Sequence, residues 1–364
     1  MNPAPLRALA VTSYPDRPEA ETFIGLRRLG VELCVCLAAD AIHFDRLVAA
    51  GVQVEPLRFS GRVDRNAIET IRSLLQSRRF DILHLFNNRA VVNGLIAARG
   101  SAVRIIAYRG IVGNEGFLNP FSWMRYLNPR VDTIVCVAEA VRQSFLKMGM
   151  PGIRMRSDKP VTIYKGHSLD WYRDPPADRA GLGIPADAFV AGCVANWRPR
   201  KGVDVLLEAF EMLAPDVPIH LLLAGNMDHD RLRRTIEASA HRERIHVLGF
   251  REDAPAVIAA CDVAVLPSIK REGLAKTVIE AMAYGVAPIV TDCGGSPELV
   301  ENGKSGIVVP VRDAAAIARA IELLYSDAAL RLRLGAAARE RIGSKFTIER
   351  TIEQTYSLYQ KKIR

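Results

Sequence analysis

The sequence predicts an α/β protein of two domains, each built on a parallel sheet. Short apolar runs such as Asp262–Pro267 and Ala287–Thr291 are Val-rich and bounded by Pro or Gly, as suits strands buried on both faces. Between such runs lie segments with apolar residues at helical spacing, so that strand, helix and strand alternate. At 364 residues the chain exceeds a typical single domain, and two domains of similar size are expected.

In the first half, Leu6–Thr12 reads as a strand, Glu21–Leu29 as a helix closed by Gly30, and Val31–Leu37 as the next strand. The loop SYPDRPEAE between the first two elements contains no glycine, and no G-x-G-x-x-G follows any strand. That argues against a nicotinamide or flavin enzyme. Arg65–Ser77 is helical, and residues 80–86 form a strand with His84 near its end and Ile82, Leu83, Leu85 and Phe86 in the core. A lone His among apolar neighbours is more often a satisfied buried histidine than a catalyst. Asn87, Asn88 and Arg89 follow at the strand's carboxyl end, where ligands bind in open α/β sheets, so His84 and Asn87 are candidates for a cleft or acceptor site. Val103–Tyr108 is another strand, and Arg109-Gly110 after it adds Arg109 to that group. Residues 114–130 mix Phe117, Phe121, Trp123, Met124 and Tyr126 with Arg125 and Arg130, which fits an acceptor-site lip, a patch on lipid headgroups, or a packed loop covering the sheet end. Val131–Val137 is a strand, Glu139–Met148 a helix, and the Asp-, Arg- and Pro-rich Asp170–Ala180 marks the domain boundary.

The second half opens with the strand Phe189–Ala195, the turn NWRPRKG and the helix Val203–Leu213. Cations just before a helix N-terminus suit a diphosphate, and equally a solvated charged turn. His220–Ala224 and Ile245–Leu248 are strands ending in Gly225-Asn226 and Gly249-Phe250-Arg251. After Asp262–Pro267 comes the loop Ser268–Gly273, the helix Leu274–Tyr284 with Gly285 as C-cap, and the strand Ala287–Thr291. Ala314–Tyr325, Ala328–Ile342 and Thr347–Gln360 are helices. Glu272 and Glu280 are separated by seven residues, with the first at the positive end of the helix and the second inside it. Carboxylates beside free backbone N–H groups can hold sugar hydroxyls next to a phosphate. Taken alone, the same spacing fits a solvated Lys276–Glu280 pair on an exposed face.

Composition narrows the classes. With 49% hydrophobic and 24% charged residues the chain can bury sizeable cores and is not disordered. No apolar run approaches the ~20 residues that span a bilayer. MNPAPLRALAVTSYP has one Arg and too short an apolar stretch for a secretory signal, so a cytoplasmic location is expected, with peripheral contact at the inner face of the cell membrane if an anionic surface is a partner. The six cysteines, Cys34 and Cys36 among them, have no zinc-ligand spacing with His and read as reduced core residues. Residues 1–172 hold 23 Lys and Arg against 15 Asp and Glu, or +8, whereas residues 173–364 hold 26 against 25, or +1. The basic half suggests an anionic partner, a membrane surface or a phosphorylated glycan. Nucleic acid is not expected, since none of its recognition motifs is present.

The string REGLAKTVIEAMAYGVAPIVTDCGGSPELVENGKSGIVVP, from Arg271 to Pro310, closely resembles the signature of retaining family-4 glycosyltransferases: a Glu, seven residues, a Glu, then Ala-Met-Ala and Gly-Gly-x-x-Glu. The likeness is strong from about Ala191 to Tyr359 and looser over residues 1–172. It implies the GT-B fold, two Rossmann-like domains facing across a cleft. Residues 1–172 would form the acceptor-side domain and 173–346 the nucleotide-sugar-binding domain, with helix 347–364 crossing back onto the first. Lys201-Gly202 matches the family's phosphate-binding Lys-Gly. The family usually has Arg five positions before that Lys, where this chain has Asn196, so Arg198 or Arg200 would supply the cation. By the resemblance, Lys201 and Arg198 neutralise the departing diphosphate. Glu280 accepts from the ribose hydroxyls, Glu272 from a donor-sugar hydroxyl, and Gly273, Leu274 and Ala275 offer backbone contacts, with Thr277 on the same helix face. The turn at Phe250-Arg251 would hold the base through its backbone. Many relatives carry His where Arg109 stands, and paired glycines in the first loop, which this chain lacks.

The implied activity is transfer of a sugar, with retained configuration, from a UDP- or GDP-sugar to a glycan or glycolipid in cell-envelope or lipopolysaccharide synthesis. No metal and no cofactor are expected, the nucleotide-sugar being a substrate. Two alternatives remain, a non-hydrolysing sugar-nucleotide epimerase and a glycosyltransferase-like scaffold without catalysis.

Overall fold

A computed structural model describes residues 5–113, 115–150 and 153–363. The chain divides into two compact units, Met1–Gly166 with Phe346–Arg364, and His167–Lys345. The division falls before the Asp170–Ala180 stretch that composition marks. His167 Nδ1 bonds Tyr172 Oη and the Tyr172 ring packs edge-on to Tyr284, which ties residues 167–172 to the second unit.

The first unit runs β1 (Arg7–Val11), α1 (Arg17–Arg28), β2 (Glu32–Leu37), α2 (Phe44–Ala49), β3 (Gln53–Pro56), α3 (Arg65–Ser77), β4 (Ile82–Leu85), α4 (Asn88–Ala97), β5 (Arg104–Arg109), α5 (Pro120–Trp123), β6 (Val131–Cys136) and α6 (Glu139–Leu146). A short antiparallel pair, β7 (Gly149–Met150) and β8 (Ile153–Arg154), precedes β9 (Pro160–Thr162). The second unit holds β10 (Phe189–Val194), α7 (Val203–Glu211), β11 (Ile219–Ala224), α8 (Asp230–Glu237), β12 (Ile245–Gly249), α9 (Ala254–Ala259), β13 (Val263–Leu266), α10 (Lys276–Tyr284), β14 (Ala287–Thr291), α11 (Ser296–Leu299), β15 (Ile307–Val309), α12 (Ala314–Ser326) and α13 (Ala328–Lys345). The chain then returns to the first unit in α14 (Ile348–Ile363).

Both main sheets are parallel throughout, in the orders β3-β2-β1-β4-β5-β6-β9 and β12-β11-β10-β13-β14-β15. Each reverses direction once, between β1 and β4 and between β10 and β13. The crevice outside the carboxyl ends of such a strand pair is where open α/β sheets take their ligands. The central strands read as unbroken apolar runs because helices cover both faces; β10, β11 and β14 are buried at every residue.

Local chemistry explains where elements begin. Helix α1 starts at Arg17, ahead of the first apolar-periodic residue, because Asp16 accepts from Glu19 N at 3.1 Å and Pro18 is tolerated in the first turn. Helix α10 starts at Lys276, since Ala275 keeps an extended backbone, and stops at Gly285 in the left-handed region. Helix α14 packs on α1 so closely that a side chain at Gly25 would overlap Ile352. Its Tyr359 is fully buried among Phe23, Leu33, Ile82 and Ile106. No helix among the described residues is long and apolar enough to cross a membrane.

His84 is part of that core. It is 2% exposed, with Nδ1 2.8 Å from Tyr359 Oη, and burial lowers its pKa to about 3. The unfolded chain, with a His near 6.5, therefore binds one more proton than the native state between those values. The stability conferred by a neutral His84 is present above about pH 6.5 and is lost on acidification at ~1.4 kcal/mol per pH unit. In urea unfolding of the full chain, His84→Asn should flatten the fall of stability below pH ~6.5; an unchanged slope would contradict this origin.

Candidate functional site

In the second unit, the loops that leave β10 and β13 at the switch point are joined. Ile269 N donates to Arg200 O at 2.8 Å, and Arg200 Nη1 to Arg271 O at 3.2 Å. Gly202 has φ +68°, and a Cβ there would stand 2.1 Å from Pro267 O, so only glycine lets the two loops touch. Between them lies Glu272, 4% exposed. Its Oε1 accepts from Lys201 Nζ at 2.7 Å, Ser268 Oγ at 2.9 Å and Arg200 Nη1 at 3.3 Å. From the other side, Gly294 brings the β14–α11 turn against the Glu272 carbonyl, where a Cβ would stand 2.3 Å away. Lys201 and Glu272, 71 residues apart, thus meet in one place.

Beyond Glu272, Gly273 and Ala275 are buried and Leu274 is half-buried. Ala275 at the N-cap offers no side-chain acceptor, so the first-turn N–H groups of α10 are left uncapped. Thr277 on that turn is half-buried. Glu280, 3% exposed, is a buried carboxylate rather than half of a solvated pair: Lys276 reaches it at 3.2 Å from the exposed side, and burial raises its pKa against the pull of that Lys.

The turns after β10, β11 and β12 lie side by side. Asn196 Oδ1 accepts from Asn226 N at 2.9 Å, Trp197 N donates to Asn226 O at 2.8 Å, and Gly225 N to Gly249 O at 2.7 Å. Asn196 therefore fastens a neighbouring turn. Phe250 is 73% exposed, while the Arg251 guanidinium is spent on Asp253 through two bonds of 2.8 and 2.7 Å. Arg198 is exposed and makes no side-chain hydrogen bond or ion pair among the described residues.

The first unit corrects several expectations. His84 is a core residue with its ring turned to Tyr359, not an open-cleft residue. Arg109 is 8% exposed and committed to its own loop: its guanidinium pairs with Glu115 at 2.8 Å, Nε donates to Ile111 O at 2.9 Å, and the group stacks over Tyr126. Arg130 donates to Ala98 O and Ser101 O, which removes it from any surface patch. Of the aromatic stretch, whose Asn114 lies outside the described residues, Tyr126 is 1% exposed and anchors the loop, while Phe121, Trp123 and Met124 face solvent. Asn87 does stand at the switch point, capping α4 through Ala90 N and reaching Ser13 Oγ at 3.2 Å, on a cavity of about 470 Å³ with Thr12, Ser13, Tyr14, Asn88 and Arg89. Lys165 there bonds both Asp16 and Glu19, at 2.9 and 2.8 Å. Burial alone would lower its pKa, but Glu19, Tyr108 and Asp16 lift it well above the ordinary value.

Residues 174–341 match the family model of glycosyl transferases group 1, and residues 20–157 that of a glycosyl transferase 4-like domain. The chain belongs to the group 1 glycosyltransferases. It is 30% identical over 218 residues to the lipopolysaccharide core biosynthesis glycosyltransferase LpsE of Rhizobium meliloti, covering 60% of this chain and 61% of that one. To the glycosyltransferase EpsD of Bacillus subtilis, itself named as putative, it is 34% identical over 182 residues, covering 49% and 46%. The matches thus span about half to three-fifths of these curated relatives. Among solved structures, Anabaena Alr3699/HepE in complex with UDP-glucose superimposes with a TM-score of 0.78 at 22% identity over 98% of this chain and 99% of the other. The fold is GT-B.

Removing one partner of a buried ion pair costs about 3–5 kcal/mol. Lys201→Met should lower the unfolding free energy by roughly 3 kcal/mol, toward the lower end because Arg200 remains, and the further change Glu272→Gln should recover part of it. Strict additivity of the two in a double-mutant cycle would show that they do not interact.

Proposed function

We propose that the chain is a retaining glycosyltransferase that moves a sugar from a nucleotide-sugar, a UDP- or GDP-sugar, to a glycan or glycolipid acceptor of the cell envelope. The observation that carries this is the meeting of Lys201 and Glu272 at the switch point of the second sheet. The relative named for lipopolysaccharide core biosynthesis, and the fold neighbour holding UDP-glucose, support the envelope setting and a uridine donor.

In this reading the row of turns receives the donor lengthwise. The base meets the turn at Phe250-Arg251, the diphosphate meets Lys201 and Arg198, and the sugar meets Glu272 and the backbone of Gly273, Leu274 and Ala275. Glu280 accepts from the ribose, with Thr277 beside it. The bond between the sugar's anomeric carbon and the diphosphate oxygen breaks, and a bond from that carbon to the acceptor oxygen forms on the same face. The acceptor proton passes to the leaving phosphate. Charge grows on that phosphate as the bond opens, so fixed cations aimed at it favour the transition state over the ground state. Of the two arginines, Arg200 is held by Glu272 and Arg271 O, which leaves Arg198 to join Lys201 at the diphosphate. The acceptor is assigned to the first unit, around Asn87, with peripheral contact at an anionic membrane surface.

Arg198→Ala should leave the unfolding midpoint unchanged and lower kcat by roughly a hundredfold, the scale seen when one transition-state donor is removed. Glu280→Ala should reduce the thermal shift produced by UDP. Because burial raises the Glu280 pKa, UDP affinity in the wild type should begin to fall at a higher pH than an exposed carboxylate would give. Nucleotide release that depends on added acceptor supports transfer. Donor isomerisation without acceptor, or binding without turnover, would overturn it.

A further inference from the structure

A cavity of about 490 Å³ opens in the first unit between α4 and the β5–β6 connection, lined by Arg62, Asn88, Arg89, Val92, Asn119, Phe121, Met124 and Arg125. It contains no carboxylate, and none of its three arginines forms an ion pair among the described residues. They are nonetheless held in place. Arg62 stacks over the Phe121 ring at 4.6 Å, Arg125 Nε donates to Phe121 O at 2.9 Å, and Arg89 Nη1 reaches Phe59 O at 3.5 Å. Each guanidinium has five N–H donors, so most of them remain free to face an anion. A cavity of similar size at the other end of the sheet differs in holding a carboxylate, Glu32, which pairs with Arg7.

Two further features narrow the ligand. Phe121 and Met124 are 46% and 41% exposed at the cavity, so an apolar segment can lie beside the charged group. Asn88 and Arg89 also wall the cavity at the β1/β4 switch point, so one extended molecule can place its reacting end there and its anionic group here.

We propose that Arg62, Arg89 and Arg125 form an anion subsite for a phosphate ester borne by the acceptor, whose apolar part rests on Phe121 and Met124. Three guanidiniums around one space match a doubly charged, multi-oxygen anion better than a carboxylate. The inference deepens the proposed transfer reaction by naming the acceptor's chemistry, and it rests on that reading.

The test uses the full chain and three probes measured by calorimetry at low salt: inorganic phosphate, octyl phosphate, and vesicles of phosphatidylcholine and phosphatidylglycerol in equal parts. Octyl phosphate should bind, and roughly tenfold more tightly than inorganic phosphate. Arg89→Ala and Arg125→Ala should each weaken it by roughly ten- to hundredfold, as expected for hydrogen bonds to a charged group, with Arg125→Lys recovering part of the loss. The thermal shift given by UDP should be the same in these variants as in the wild type, which reports that they are folded. If UDP shifts neither protein while octyl phosphate behaves as stated, the donor reading fails and the anion subsite stands. Octyl phosphate binding that ignores the substitutions, or its absence alongside vesicle binding that the substitutions abolish, would overturn the proposal; the latter would assign the arginines to lipid headgroups.

Discussion

A carboxylate taken almost wholly out of water has to be matched by charge and hydrogen bonds, or its burial costs the fold several kcal/mol. Glu272 meets this demand with donors from two segments distant in sequence, Lys201 and Arg200 from the turn after β10 and Ser268 from the loop after β13. The surrounding backbone follows from that requirement. Gly202 has to lack a side chain for its loop to reach Pro267, and Gly294 for the next turn to close on Glu272. Arg271, at φ 63°, holds a non-glycine residue in the left-handed region so that its carbonyl accepts from Arg200 while the next residue turns inward. The mouth of α10 and the cationic turn before α7 are thereby fixed relative to one another before any ligand arrives.

The two units share a topology and use their charges differently. In the first, several cations are consumed by the fold: Arg109 by Glu115, Arg130 by two carbonyls, Lys165 by Asp16 and Glu19. The net +8 of residues 1–172 therefore overstates what a ligand can meet. What remains is local, and its location around α4 is set by the same β5–β6 connection that carries the exposed aromatic residues. Net charge read from sequence locates a half of the chain; only the pairing of each side chain locates a site.

The parts of this architecture that were legible in the sequence are those governed by local pattern. Buried parallel strands betray themselves as short apolar runs, as at Ala287–Thr291, and Gly285 marks a helix end because few other residues adopt its backbone. Half-exposed edge elements such as β3 and α2 have no such periodic signature and do not stand out. The approach of Lys201 to Glu272 was legible only through resemblance to a family, since no local rule relates residues 71 apart. Asn196 bound to Asn226, and Lys165 to residues 146 and 149 positions away, had no sequence signal at all, because side-chain pairing across a folded sheet depends on a register that periodicity does not encode.

The turn NWRPRKG shows how a site can keep its charge while changing the residue that carries it. Asn196 occupies the position where the family usually has Arg, and its Oδ1 fastens the neighbouring turn. Trp197 packs against the core beneath, whereas Asn196 and Arg198 are both exposed, as alternation along extended backbone requires. Arg198 itself has φ −151° and ψ 140°, so it continues that alternation just before the tight turn Pro199–Lys201. Residues two apart on such a segment share a side, and a longer side chain at 198 can reach space that one at 196 would otherwise fill. Arg200 belongs to the opposite arrangement, folded back onto Glu272 and the Arg271 carbonyl. The geometry thus separates two cations that the sequence leaves equivalent: one completes the buried network that shapes the site, and the other is left free at its surface.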